Sequence, residues 1–336
     1  MDVDEVDYDL PAAAIAQTPV EPRDAARLLV DRGPGSSPEH RQVRDLAAFV
    51  GPGDLLVVNT TRVLPARLRL TKDTGGAVEV LLLEPVAGER WEALVKPSRK
   101  VAPGTALAAG PDLTVVVGTD HGEGRRDVDL LLGDGIELLE ALARHGQVPL
   151  PPYITTPLAD PERYQTTYAV QPGSVAAPTA GLHLTPELLA TVEATGARLA
   201  EVELVVGLGT FRPIATDTVE AHHMHAERYR VPAATMTACE AAERVVAIGT
   251  TAVRALESAA ATGELEGRTE LFIHGDRRFA VVDALLTNFH QPRSSLLVLI
   301  EAFIGPRWRG LYEEALASGY RFLSFGDAML LQGERG

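Results

Sequence analysis

The sequence predicts a mixed α/β main domain interrupted by a small all-β unit. Three observations carry that expectation. Length comes first, since 336 residues make one large domain with an insertion, or two domains. From about Ala66 to Leu132 the chain breaks into short apolar runs divided by Gly, Pro and Asp clusters, the texture of a barrel or sandwich. On either side, helical patterns alternate with apolar strand candidates, which argues α/β. The predicted partition is 1–65 and 147–336 for the main domain and 66–146 for the insertion.

The elements follow in order. Arg23 to Asp31 is a helix candidate, with Ala25, Ala26, Leu28, Leu29 and Val30 near helical spacing. A second helical pattern, Val43 to Phe49, stops at Gly51-Pro52-Gly53, and the β-branched apolar run that follows from Asp54 to Thr60 predicts a buried strand. ARLRL, AVEVLLLE, WEALVK, LTVVVG and VDLLL supply strands of the insertion, and a helix over Ile136–His145, closed by Gly146, marks the return. The second half alternates through Pro186–Thr195, Leu199–Val206, Ala234–Val246, Val253–Ala261, Thr269–Ile273, Leu296–Phe303 and Trp308–Ser318. No fixed-period repeat interrupts it.

Composition excludes several classes. A single cysteine, Cys239, rules out a disulfide framework and any zinc site needing two thiolates. A formal charge of −15 has the wrong sign for coating nucleic acid non-specifically. The charge is nonetheless polarised: residues 61–101 hold eight basic against five acidic side chains, whereas residues 1–60 hold five against eleven. The acidic start MDVDEVDYDLP lacks an export signal, and no run approaches the roughly 18 apolar residues of a membrane helix. A cytoplasmic protein, monomeric by default, is expected.

Polar residues gather in four loops of the second half. At Ala177–His183 a turn leads into a helix with Thr185 as N-cap and Pro186 at its first position. His183 there either flanks an anion site at the helix start or simply packs. Gly207 and Gly209 precede Thr210 and Pro213 without the third glycine of a dinucleotide fingerprint. The run His222, His223, His225 has imidazole density but no metal-ligand spacing, so no metal is expected. Last, Gly249-Thr250-Thr251 opens a helix carrying Arg254 and Glu257 three apart, either an ion pair or a ligand grip, and is followed by Val282–His290. No P-loop or nucleophile elbow occurs.

Taken together, the strings YDLP at Tyr8, LVVNTTRVLPARL at Leu56, PTAGLH at Pro178, GLGTFRP at Gly207, MHAERY at Met224, GTTAVRALES at Gly249, VDALLTNFH at Val282 and YRFLSFGDAMLL at Tyr320 are collinear over most of the chain. The sequence resembles the S-adenosylmethionine:tRNA ribosyltransferase-isomerase family of queuosine biosynthesis. That resemblance implies a mixed α/β main domain with an inserted small β-barrel. It also implies an enzyme moving the ribosyl group of S-adenosylmethionine onto the aminomethyl-deazaguanine wobble base of tRNA, giving an epoxycyclopentanediol and releasing adenine and methionine. S-adenosylmethionine is then a substrate, and no cofactor is implied.

Such a reaction needs a base beside the sulfonium and an acid for departing adenine, steps suited to histidine. His183, His225 and His290, with Asp283, are the catalytic candidates that the matching motifs imply, with acid and base unassigned. Thr179, Gly181, Gly207, Gly209, Thr210, Thr250, Thr251, Arg254 and Asn288 are the candidates for holding substrate, and Arg62, Lys96, Arg99 and Lys100 for meeting tRNA phosphates. The chain departs from the family pattern at Val205, where a histidine is common, at His274 and at Gln291. A relative with another acceptor, or one that binds without transfer, stays open as the alternative.

Overall fold

A computed structural model describes residues 1–207 and 213–333 of the chain. Two compact units form, the larger from 1–62, 151–171 and 177–336, the smaller from 63–150 and 172–176. The smaller unit thus takes in residues 63–65, 147–150 and 172–176, which the sequence reading left with the main domain.

Along the chain, β1 (Arg27–Val30), β2 (Glu39–Gln42), β3 (Asp54–Asn59) and β4 (Thr61–Val63) come first. The helix expected over Arg23–Asp31 is not formed: Arg23–Ala25 makes one 3-10 turn and Arg27–Val30 is β1. Leu28, Leu29 and Val30 are all buried, and a strand covered on both faces has no polar positions to reveal its period. Val43–Phe49 coils as expected, though as 3-10 helix. All six residues of β3 are buried, as the apolar run predicts.

The smaller unit holds β5 (Arg67–Thr71), β6 (Ala77–Ala87), β7 (Arg90–Lys96), β8 (Ala106–Gly110), β9 (Leu113–Gly122), β10 (Arg125–Leu132), α1 (Leu138–His145) and the two-residue β11 (Gly146–Gln147). Its strands make a seven-stranded sheet in the order β11-β5-β6-β7-β10-β9-β8. Leu68, Leu70, Val80, Val95, Val115, Val117 and Val128 fill its interior. Gly146 is obligatory, because a Cβ there would stand 1.8 Å from the Pro65 carbonyl oxygen. The strand β8 has no counterpart among the predicted runs, since its alanines carry little apolar signal.

After β12 (Gln171–Ser174), which lies but for Gln171 in the smaller unit, the larger unit continues with α2 (Pro186–Ala194), β13 (Arg198–Leu204), β14 (Glu227–Arg230), α3 (Ala233–Glu240), β15 (Arg244–Ile248), α4 (Thr250–Thr262), β16 (Glu266–Thr269), β17 (Ala284–Asn288), α5 (Ser295–Ile304), α6 (Trp308–Ala317) and β18 (Ala328–Gln332). The single span Ala234–Val246 is therefore two elements, and only Thr269 of the expected Thr269–Ile273 segment lies in a strand. The nine strands order as β16-β14-β13-β3-β15-β17-β18-β1-β2. At the centre β13, β3, β15 and β17 run parallel, whereas β18 is antiparallel to β17 and parallel to β1.

Leu56, Val58, Val246, Ile248 and Leu286 on one face of this sheet pack with Leu188 and Val192 of α2. Alternate residues such as Leu55 and Val57 point to the opposite face, also buried. As predicted, the Thr185 hydroxyl caps α2 by accepting from the Leu188 amide, with Pro186 at the first position. No helix among the described residues is long and apolar enough to cross a membrane.

Candidate active site

In a parallel sheet the crevice outside the carboxyl ends of the strands is where ligands bind. Here β3, β13, β15 and β17 deliver Asn59, Gly207, Gly249 and Asn288 to one edge. Asn59, fully buried, locks the end of β13: its amide donates to the Leu204 carbonyl at 3.0 Å and its oxygen accepts from the Leu204 N–H at 3.2 Å.

Two polar clusters stand on this edge. In the first, the Thr179 hydroxyl donates to Asn288 Oδ1 at 2.8 Å, which fixes the amide so that Nδ2 meets His183 Nε2 at 3.3 Å and the Asp327 carbonyl at 3.4 Å. Burial depresses the His183 pKa to about 4; the nearby Arg321, Arg163 and Arg23 push the same way, against a hydrogen bond to the Arg23 backbone. The Nε2 of this imidazole is engaged by the Asn288 amide. His290 differs. Its Nε2 pairs with the Thr287 hydroxyl at 2.8 Å, its carbonyl accepts from Tyr8 Oη at 2.5 Å and its N–H donates to Tyr312 Oη at 3.0 Å. Desolvation takes its pKa down to about 3, and its Nδ1 makes no hydrogen bond among the described residues. Thr179, Asn288, His290, Gln291, Tyr153 and Ser324 line a cleft of about 30 Å³, room for one small group.

In the second cluster, Glu227 at the start of β14 accepts the Gly207 N–H at 2.9 Å and forms a buried ion pair with Arg254 of α4. Arg254 Nε also reaches the Leu271 carbonyl at 3.2 Å. Glu257, three residues on, instead accepts the N–H groups of Ala280, Val281 and Val282 at 2.9, 3.0 and 3.1 Å, so of the two readings left open the Arg254–Glu257 ion pair is not formed and the two side chains are separate anchors. Gly249, at φ +88°, begins α4 hard against Ala180 of the first cluster.

Other candidates fall elsewhere. Asp283 precedes β17 at the amino edge, where it accepts the Val245 N–H at 2.8 Å; the whole strand separates it from His290. His225 is exposed and forms no bond to either buried histidine. Gly181 is a packing glycine, for a Cβ would come 2.0 Å from Tyr168 Oη. Gly209 and Thr210 lie outside the described residues. Lys96, Arg99 and Lys100 are exposed on the smaller unit around the turn Ser98–Lys100, which Arg126 holds through Ser98 at 3.0–3.1 Å. Arg62, in the larger unit, pairs with Glu162 at 2.5 Å. Among the described residues no group of three His, Cys, Asp or Glu side chains could hold a metal ion.

A model of the family described as queuosine biosynthesis protein matches residues 3–331. The chain belongs to that family. It is 52% identical to an S-adenosylmethionine:tRNA ribosyltransferase-isomerase of Rubrobacter xylanophilus, over 99% of this chain and 98% of the relative, and 48% identical to one of Thermotoga maritima, over 98% and 100%. A crystal structure of an S-adenosylmethionine tRNA ribosyltransferase from Thermotoga maritima aligns with a TM-score of 0.55 at 38% identity, covering 97% of this chain and 99% of that one. In this queuosine-family chain, Gln291 alone of the three departures lines the cleft; the Val205 amide is spent on the Arg228 carbonyl at 2.9 Å, and His274 stacks 5.0 Å from Phe272.

Sequence reasoning missed Glu227, Tyr8 and Tyr312 as site residues. A signal existed for Glu227: in ERYR a carboxylate occupies the same inward phase as Tyr229, and a buried acid on a strand demands a partner.

Proposed function

We propose that this protein is an S-adenosylmethionine:tRNA ribosyltransferase-isomerase. It transfers and isomerises the ribosyl group of S-adenosylmethionine onto the aminomethyl-deazaguanine at the tRNA wobble position, forming epoxyqueuosine-tRNA with release of adenine and methionine. The observation that carries this reading is His290, an imidazole held neutral by burial, pinned at carbonyl and amide by two tyrosines and lining the cleft, in a chain of this family. A neutral, oriented imidazole has the lone pair that proton removal beside a sulfonium needs, though burial weakens it as a base, and the imidazolium so formed, strongly acidic in its dry site, is the acid available to adenine. His183, buried and bonded through Nε2 to the Asn288 amide, positions Asn288 rather than moving protons.

The scheme uses S-adenosylmethionine as a substrate and needs no metal. The smaller unit is the inserted barrel of the family, and its exposed Lys96, Arg99 and Lys100 contact tRNA phosphates.

The test follows adenine release by chromatography with tRNA carrying the aminomethyl-deazaguanine, with unmodified tRNA and without tRNA. Release confined to the modified tRNA is expected, and His290→Gln should slow it by about 10²- to 10⁴-fold while donor binding persists. Donor binding with no release under any condition would defeat the reading in favour of a relative without transfer. Release without tRNA would point to another acceptor.

A further inference from the structure

The amino end of α4 presents polar groups without partners among the described residues. This helix runs thirteen residues, and Gly249 gives it no side-chain cap. The amides of Thr250 and Thr251 have no hydrogen-bond partner among the described residues, whereas those of Ala252 and Val253 turn back to the Gly249 carbonyl. Open amides at the positive end of a helix dipole attract negative charge.

A second observation comes from Thr251. Its residue is more than nine-tenths buried, and its Oγ1 is sealed from solvent without a partner. The hydroxyl points to the helix mouth, since a Cβ built on Gly249 would lie 3.7 Å from it. A buried hydroxyl with nothing to bond is costly, and a ligand atom repairs that deficit. Arg254 stands one turn along on the same face and leans toward the amino end as long helical side chains do, and its Nη2 is also buried without a partner. Its charge is already met by Glu227. The site therefore offers two amides, a hydroxyl and a guanidinium N–H to an incoming oxyanion, with little net charge of its own.

We infer that α4 binds the carboxylate of the methionine part of the donor, through the Thr250 and Thr251 amides, Thr251 Oγ1 and Arg254 Nη2. This rests on the ribosyl-transfer reading above. A carboxylate fits better than an RNA phosphate because the residues concerned are buried at the sheet edge, where the free end of a small molecule enters and a polynucleotide backbone does not. A Cβ built on Gly249 would lie 3.6 Å from the Ala180 side chain, so the start of α4 neighbours the turn that carries Thr179, whose hydroxyl holds Asn288, and a donor held by its carboxylate extends toward the His290 cleft.

The experiment compares binding of S-adenosylmethionine and of its decarboxylated analogue by calorimetry to wild type, Thr251→Val, Thr251→Ser and Thr250→Asp. Wild type should prefer the carboxylate-bearing donor by about 10- to 100-fold, the span of hydrogen bonds to a charged group. Thr251→Val should shrink that preference about tenfold by weakening the intact donor alone, and Thr251→Ser should restore it. Thr250→Asp, whose carboxylate suits a first helical turn and so spares the fold, should abolish the preference by occupying the site. Equal weakening of both compounds, or an undiminished preference in Thr251→Val and Thr250→Asp, overturns the assignment while adenine release in the wild type leaves the ribosyl-transfer reading intact. If neither compound binds the wild type, both fall together.

Discussion

Replacing Glu227 by glutamine removes one charge from a pair of side chains that are only 4% and 5% exposed. The remaining Arg254 guanidinium would then be buried beside a neutral amide. Breaking a buried pair from one side typically costs about 3–5 kcal/mol, because the surviving ion keeps its desolvation penalty without its compensation. The Gly207 N–H adds to this: glutamine presents one oxygen where glutamate presents two, so either Gly207 or Arg254 loses its acceptor, about 1–3 kcal/mol for a buried donor. Arg254→Met should cost a similar 3–5 kcal/mol by stranding the carboxylate. In the double variant neither charge is left alone, so its destabilisation should fall short of the sum of the singles by about 2 kcal/mol or more. Urea unfolding reports this cleanly, because Trp308 is in the larger unit and Trp91, the only other tryptophan, can be made phenylalanine. Additive singles would refute the argument that the pair is one electrostatic unit.

Three further outcomes are expected. His183 and His290 have folded pKa values of about 4 and 3, below the ordinary 6.5, so the unfolded chain binds protons that the native state refuses. Stability should be flat above pH 6.5 and fall on acidification from 6.5 toward 4, with His290→Gln removing about 1.4 kcal/mol per pH unit of that slope; an unchanged slope in urea titrations contradicts a neutral buried His290. Glu257→Ala strips three amides of their acceptor, that of Val282 buried and those of Ala280 and Val281 half-buried, and should destabilise by about 2–3 kcal/mol, whereas a loss under about 1 kcal/mol would mean that solvent already serves them. Lys100→Ala should weaken tRNA binding alike for all sequences and flatten the salt dependence by about one unit, and an unaltered slope removes Lys100 from the interface.

Much of this architecture was legible in the chain because its signals are local. The runs of the smaller unit alternate or cluster cleanly, Thr185-Pro186 declares a helix start, and Gly51-Pro52-Gly53 delimits β3. Leu28–Val30 misled because continuous burial erases periodicity, and Ala234–Val246 ran two elements together because the turn between them holds no glycine or proline. Motifs singled out Thr179, His183, Asn288 and His290 as a set, and the structure joins the first three through one asparagine amide. Spacing along α4 left an Arg254–Glu257 pair open beside a ligand role, but three residues apart pairs the two only if neither finds a better bond across the fold. Asp283 shared a motif with His290, but an extended strand carries the two to opposite edges.

The parallel pairing of β1 with β18 sets Leu28 against Ala328, three hundred residues later. On a ribosome adding about 5–20 residues per second, the first strand of the main sheet waits roughly 15–60 seconds for its neighbour. Through that interval Leu28, Leu29 and Val30 have no sheet to enter on that side, an adhesive segment for a chaperone or another nascent chain. The smaller unit, whose strands lie within residues 67–147, can close its own sheet long before. Assembly is thus staged by synthesis itself: the insertion matures early, and the sheet edge around Asn288 is completed only when Asp327 and the last strand emerge.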